Sequence, residues 1–291
     1  MPDAKTLLFL ALGAVAVVFL VTWVRSARRG SEIAQPGPFA LAIGFVTNFF
    51  DTLGIGSFAP TTSVWKLKGI VRDEKIPGTL NVGHALPTIT QAFIFIAIVE
   101  VEMTTLIGMI AASIAGAWLG AGLVAGWPRK RVQIGMGLAL FAAASFFAMT
   151  NLGLFPSGGE TLGLRSPLLW AGLAGNFALG ALMTLGIGLY APCMILVALL
   201  GMNPRAAFPI MMGSCAFLMP IGGLRFIARG SYSLRAAVGL TIGGIPAVLL
   251  AAFVVKSLPL TYLRWLIFAV VLYTAVAMLR SARRKEPEPE I

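Results

Sequence analysis

The sequence predicts an all-α polytopic membrane protein: two inverted repeats, each a broken re-entrant helical hairpin plus three spans, preceded by one extra span. Three observations predict it. The chain is apolar in helix-length runs, a nine-residue motif recurs 132 residues later, and the basic residues gather between particular runs.

Of 291 residues, 58% are hydrophobic and 11% are charged, with mean hydropathy +0.90. That charged share is roughly half of what a soluble domain carries, and so much apolar surface does not fit behind a charged exterior. The apolar runs fall at 7–24, 38–64, 77–98, 103–126, 131–149, 167–200, 207–227, 234–255 and 260–279. They have the length of membrane helices, not the short alternation of an outer-membrane barrel. No polar stretch is long enough for a soluble domain.

The first run, LLFLALGAVAVVFLVTWV, is long for a signal-peptide core, and no A-x-A-like site follows it. Arg25, Arg28 and Arg29 come directly after. Residues 1–30 therefore read as a retained span whose C-terminal end is cytoplasmic. The formal charge of +11 sits at span ends, which the positive-inside rule explains without nucleic acid. One histidine, His84, and two cysteines, Cys193 and Cys215, make a structural metal site, a cofactor or a disulfide framework a poor reading. Both cysteines lie in apolar segments, where free thiols are expected. Whether they touch is left to packing.

Two runs are interrupted. Residues 52–60 read TLGIGSFAP and residues 184–192 read TLGIGLYAP, with seven of nine positions identical. Gly69 then pairs with Gly201, Pro77 with Pro209 and, after one inserted residue, Pro87 with Pro220. Chance likeness between apolar stretches gives scattered Leu and Ala, not glycines and prolines in register. Glycine and proline in mid-run break a helix, one by backbone freedom and the other by a missing amide.

The charges orient the halves. With Arg25 to Arg29 inside and 38–64 entering and returning, Lys66, Lys68, Arg72 and Lys75 are inside. Glu100 and Glu102 are then outside, Arg129 to Arg131 inside, and loop 151–166 outside. The second hairpin starts from outside, so Arg205 is outside, Arg225, Arg229 and Arg235 inside, and Arg280 to Lys285 inside. This places 17 basic residues inside and 5 outside. If both broken segments crossed fully, the Lys66–Lys75 and Arg129 clusters would land outside. The expected organisation is a span in 1–30, a first repeat over 38–150, an extracytoplasmic loop at 151–166, an inverted repeat over 167–280 and a disordered cytoplasmic tail at 281–291. That gives seven full spans.

Inverted repeats with discontinuous helices are the architecture of secondary transporters. A break frees backbone groups, and the new helix N-terminus offers donors and a partial positive end suited to an anion. The expected binding residues are Asn48, Thr52, Gly54, Gly56, Thr61 and Thr62 around the first break. Thr184, Gly186, Gly188 and Cys193 are their counterparts at the second. Asn81, His84, Thr88 and Gln91, spaced three, four and three, form a polar stripe on one helix face, and Asn81 and His84 are expected to bind substrate with the break residues; in the second half the stripe thins to Ser214, also an expected binding residue, and Cys215. Asp51 is the acidic residue set within an apolar run, where a carboxylate needs a partner, a cavity or an ion path. Asp51 or His84 is the candidate proton carrier; the alternative for Asp51 is a structural part in capping the break. Gly108, Ala112, Gly116 and Gly120 form a small-residue seam for close helix packing. No Walker A motif, HExxH or serine elbow is present, so the chain does not read as an ATP motor or an enzyme.

At GFVTNFFDTLGIGSFAPTTSVWK (44–66), IPGTLNVGHALP (76–87), GNFALGALMTLGIGLYAP (175–192) and Gly201 to Ala207, the chain resembles the sulfite exporter TauE/SafE family of membrane permeases. The resemblance covers about residues 38 to 280. It implies a multi-pass secondary permease of the inner membrane, exporting a small anion such as sulfite, a sulfonate or an organic anion. The family's glycine-rich break falls on Gly54, Gly56, Gly186 and Gly188, and its following prolines on Pro60 and Pro192. This chain departs from the commoner glycine-triplet form of that break. The expected partners are a small anionic substrate, membrane lipid and protons, without nucleic acid; a homo-oligomer is compatible. The alternative is a cation-binding or proton-coupled permease for another metabolite, with Asp51 as ligand.

Overall fold

The computed structural model describes residues 3–29, 35–124, 126–154, 158–186, 188–254 and 261–283. Its elements are helical: α1 (Ala4–Arg29), α2 (Pro38–Thr52), α3 (Phe58–Lys68), a 3₁₀ turn (Asp73–Lys75), α4 (Ile76–Gly83), α5 (Ala85–Ile98), α6 (Met103–Val124) and α7 (Arg129–Asn151). There follow α8 (Leu168–Met183), α9 (Tyr190–Leu199), a second 3₁₀ turn (Pro204–Ala206), α10 (Ala207–Ala228), α11 (Leu234–Val254) and α12 (Thr261–Arg283). Among the described residues six stretches are long and apolar enough to cross a membrane: Ala4–Arg29, Asp73–Ile98, Met103–Val124, Lys130–Asn151, Pro204–Ala228 and Leu234–Phe253. The chain is a multi-pass, all-helical membrane protein. The seventh expected span coincides with α12, whose apolar stretch among the described residues is Val271–Arg280. Residues 255–260, on which part of the expected charge pattern falls, and the expected tail from residue 284 lie outside the described residues.

The interruptions lie in the two duplicated motifs. α2 and α3 have 15 and 11 residues, about 22 and 16 Å at 1.5 Å per residue, so neither alone crosses a ~30 Å hydrocarbon core. α8 and α9 are as short, at 16 and 10 residues. Helix α2 stops where Gly54 and Gly56 take φ of +86° and +88°, and α8 where Gly186 takes +92°. L-residues avoid that region. Pro60 and Pro192 each occupy the third residue of the next helix; there the amide has no intrahelical acceptor, so its loss costs no bond.

Helix α2 packs on α11, and α8 on α6; α7 packs on α12, and α4 and α5 on α10. The first two contacts are backbone-close. A Cβ on Gly116 would sit 1.9 Å from the Phe177 carbonyl oxygen, and one on Gly180 2.1 Å from that of Ser113. On the other side, a Cβ on Gly44 would meet the Gly239 oxygen at 2.5 Å, and one on Gly243 the Leu41 oxygen at 2.1 Å. Gly116 and Gly120 of the predicted seam thus seat α8. Helix α1 lies against α10 and α5.

The connecting segments form two groups. In one, Lys66 Nζ and Gln133 Nε2 donate to Asp73 Oδ2 at 2.6 and 2.8 Å. Arg229 Nη1 donates to the Gly122 carbonyl at 2.9 Å, Arg225 lies 4.1 Å over the Trp118 ring, and the Ser233 amide donates to Thr79 Oγ1 at 2.9 Å. Gly37, before α2, lies beside Arg235. In the other group, Glu102 N donates to Leu162 O at 2.8 Å, Gly159 N to Met202 O at 3.0 Å and Asn203 N to Thr161 O at 2.8 Å. Leu164 N donates to Thr105 Oγ1 at 2.8 Å, and Lys5 Nζ to Ala97 O at 3.0 Å. Glu102 caps α6 there. Partial burial pushes its carboxyl up, but hydrogen bonds from Thr104 and Thr105 outweigh this and hold it at about 2.

The predicted run 77–98 is divided. His84 stands between α4 and α5 at φ −88°, ψ −6°. The cause is three residues on: Pro87 has no amide to offer the Gly83 carbonyl. The hydroxyl of Thr241 on α11 donates to that carbonyl instead, at 2.7 Å.

Candidate functional site

The two breaks meet. Ile55, Gly56, Phe58 and Ala59 from the first and Gly188, Tyr190, Ala191 and Pro192 from the second line one cavity of about 30 Å³, closed on a third side by Phe146 of α7. That is room for about one water. Its walls are the first turns of α3 and α9, whose leading amides have no intrahelical acceptor and carry the positive end of the helix dipole.

Beside it, His84 joins three elements. Asn48 Nδ2 is committed to the Gly44 carbonyl at 2.7 Å, so its Oδ1 is free only to accept. It does so from His84 Nδ1, at 3.0 Å. With that nitrogen as donor, the neutral ring's Nε2 accepts from the Thr61 hydroxyl at 3.2 Å. The tautomer follows from the hydrogen bonds around the ring. Asn48, Thr61 and His84 are fully buried, so the end of α2, the start of α3 and the α4–α5 junction are held by one polar chain.

A second network holds Asp51, which is 2% exposed. Gln91 Nε2 of α5 donates to Asp51 Oδ2 at 2.9 Å and to Thr52 Oγ1 at 3.0 Å. Thr52 in turn donates to the Asn48 carbonyl at 2.8 Å. Ser57, in the break itself, hydrogen-bonds the same carboxylate through backbone and hydroxyl. The Tyr190 hydroxyl at the start of α9 donates to Gln91 Oε1. Asp51, Gln91 and Tyr190 therefore tie the first break, α5 and the second break together.

The remaining expected residues divide. Gly54 faces the Phe208 ring, and Gly186 faces Met136. Thr62 Oγ1, Ser63 Oγ and Asn81 Oδ1 are buried without a partner, while Asn81 Nδ2 donates to the Pro77 carbonyl at 2.8 Å. Thr184 donates to Ala181 at 2.7 Å, closing its own helix. Ser214 accepts from Asn176 Nδ2 at 2.9 Å, in a separate contact of α10 with α8. Cys193 and Cys215 are free and buried, and the Cys215 thiol donates to Met183 Sδ at 3.6 Å. Neither cysteine lines the cavity between the breaks. Among the described residues no three His, Cys, Asp or Glu side chains gather in a metal-binding group.

Sequence reasoning did not pick out Ser57, Tyr190 or Asn176, and took Gln91 only as part of the stripe. A signal was present. The two mismatches in the nine-residue repeat set Ser57 against Leu189 and Phe58 against Tyr190. Each brings a hydroxyl into the Asp51 network. Asn176 was legible as the sole amide side chain in α8.

Comparison of the chain with protein-family models, with curated proteins and with solved structures finds no match.

Proposed function

We propose that this protein is a secondary transporter that moves a small anion by alternating access between two inverted halves. The observation that carries the reading is the convergence of two helix N-termini, from two copies of one motif, on a single cavity. Oriented amides and two positive dipole ends favour negative charge without a buried lysine or arginine. The cavity holds about one water, so the arrangement is the closed one. Substrate enters when the halves part.

Several features support the inverted repeat. The element order of α2 to α7 recurs in α8 to α12, counting α4 and α5 as one span. Gly54 and Gly186, and Gly69 and Gly201, share left-handed backbone. The packing is an exchange, with α2 on α11 and α8 on α6. Re-entry is supported by the ends of each hairpin. Gly37 and Lys66 both lie in the connecting group that holds Arg225 to Arg235. Leu164 and Met202 both lie in the group around Glu102 and Thr161. The resemblance to sulfite-exporter permeases makes sulfite, a sulfonate or an organic anion the first substrate class to try, with the inner membrane as the location.

The coupling group in this reading is Asp51 or His84: the Asp51 network reaches Tyr190 of the second half, and the His84 network ties the first break to the α4–α5 junction. The burial of Asp51 among Gln91, Thr52 and Ser57 also favours a second reading, a cation-coupled permease in which Asp51 is the ligand. Flux tests the proposal. Proteoliposomes holding the purified protein are expected to take up one of sulfite, sulfate or a small organosulfonate saturably and in response to a pH gradient. No uptake of any of them by folded, inserted protein would contradict the anion reading.

A further inference from the structure

A second cavity, of about 390 Å³, lies away from the breaks between α1 and α11, with Leu20, Trp23, Arg28, Leu86, Val238 and Ile242 along it. The geometry points to a binding site for one anionic phospholipid, with the headgroup phosphate on Arg28, a glycerol ester carbonyl on Trp23 and an acyl chain along the groove. Independent features of the groove support this occupant.

First, the groove is apolar along its length, and its rim opens to the lipid: Leu20 is 43% exposed and Ile242 54%. A face of that kind inside a bilayer is solvated by acyl chain.

Second, it contains an unspent donor. Trp23 is 5% exposed, and its indole Nε1–H is buried without a partner. A buried N–H away from water needs an acceptor, and in hydrocarbon the acceptors a lipid brings are its ester and phosphate oxygens. The Thr241 hydroxyl, also on the groove, is already given to Gly83.

Third, the charge lies at the matching end. Arg28 follows Trp23 by five residues, about 7.5 Å along the helix axis, and Arg25 and Arg29 share the last turns of α1. An exposed basic cluster at a helix end, one step outward from a buried indole, matches a headgroup above its ester linkage. Basic pockets between transmembrane helices take anionic headgroups in this way.

The site bears on how α1 is held. This helix stands outside both proposed halves, and a lipid bridging α1 and α11 fastens it to the second of them.

The test is native mass spectrometry of the detergent-purified full chain, titrated with phosphatidylglycerol and phosphatidylethanolamine of identical acyl composition. Wild type is expected to retain one phosphatidylglycerol per chain, with a preference of roughly fivefold or more over phosphatidylethanolamine, the scale of one basic residue at an anionic headgroup. Arg28→Gln, an exposed position, is expected to abolish the preference, and Arg131→Gln, in the first turn of α7, to leave it intact. Trp23→Phe keeps the ring that packs on Phe19 and is expected to weaken both lipids alike, because both carry the ester. Equal retention of the two lipids by wild type would overturn the proposal, as would an unchanged preference in Arg28→Gln. A homodimer that survives full delipidation and excludes both lipids would place a second copy in the groove, and so also overturn it. Each outcome is independent of whether the protein transports an anion.

Discussion

Gly116→Val is expected to cost about 3 kcal/mol of stability, the upper part of the range for overpacking a close contact. The reason is the kind of atom that the new side chain meets. A Cβ there would lie 1.9 Å from the Phe177 carbonyl oxygen. That oxygen belongs to the backbone of α8, so no rotamer change relieves the clash, and α6 and α8 must separate. Gly108→Ala, in the same seam, would meet only the end of the Leu173 side chain at 3.1 Å. A leucine can turn away, and the expected change is within about 0.5 kcal/mol. Thermal unfolding of the purified protein reads the contrast as a fall on the order of 10 °C for Gly116→Val against little change for Gly108→Ala. Gly44→Val, where α2 meets α11, is expected to behave like Gly116→Val. Equal melting of wild type and Gly116→Val would show that the α6–α8 contact is looser than described.

Asp51→Asn is expected to separate binding from coupling. The amide keeps one oxygen to accept from Gln91 Nε2 and exchanges the other for an NH2 that cannot accept from Ser57, so the link to α5 is kept at the cost of part of the Ser57 contact, and the protein is expected to fold. It cannot take up or release a proton. If Asp51 carries the coupling proton, gradient-driven uptake falls on the order of 100-fold, the scale of losing a positioned proton acceptor, while anion binding and gradient-free exchange persist. If Asp51 is a cation ligand, binding itself is lost. Full gradient-driven uptake by Asp51→Asn would leave His84 as the coupling candidate. Asp51→Ala is a different experiment: it strands the Gln91 amide and the Ser57 groups without their acceptor, at a cost of about 1–3 kcal/mol, and mixes stability with function.

Much of the fold was legible because its signals are local. A left-handed glycine and a proline in the first helical turn are written into nine residues, and Gly54 and Gly186 take up that conformation in both copies. Helix-length apolar runs gave the spans. The division at His84 was not legible, although Pro87 was noted as a repeat partner. Whether a missing amide bends or splits a helix depends on what satisfies the freed carbonyl, and Thr241 lies 158 residues from Gly83. The site shows the same limit. Asp51 was selected as a carboxylate in an apolar run, Asn48 as its neighbour one turn earlier, His84 from the polar stripe and Thr61 because it follows the break. Their pairing rests on contacts across 23 to 40 residues, and Tyr190 reaches Gln91 across 99. Asn176 Nδ2 donates to Ser214 away from the breaks, so a polar residue in the second half did not imply a site residue.

Access to the cavity between the breaks tests the central claim most directly. The chain has two cysteines, Cys193 and Cys215, and both are buried, so a cysteine-free background carrying Ala191→Cys gives a single reporter on the cavity wall. A small membrane-impermeant thiol reagent, applied from one side and then from the other in vesicles of defined orientation, is expected to label Ala191→Cys from both. The transported anion is expected to slow both reactions. Labelling from one side only, or no effect of any anion on either rate, would contradict a binding site that opens alternately to the two sides of the membrane.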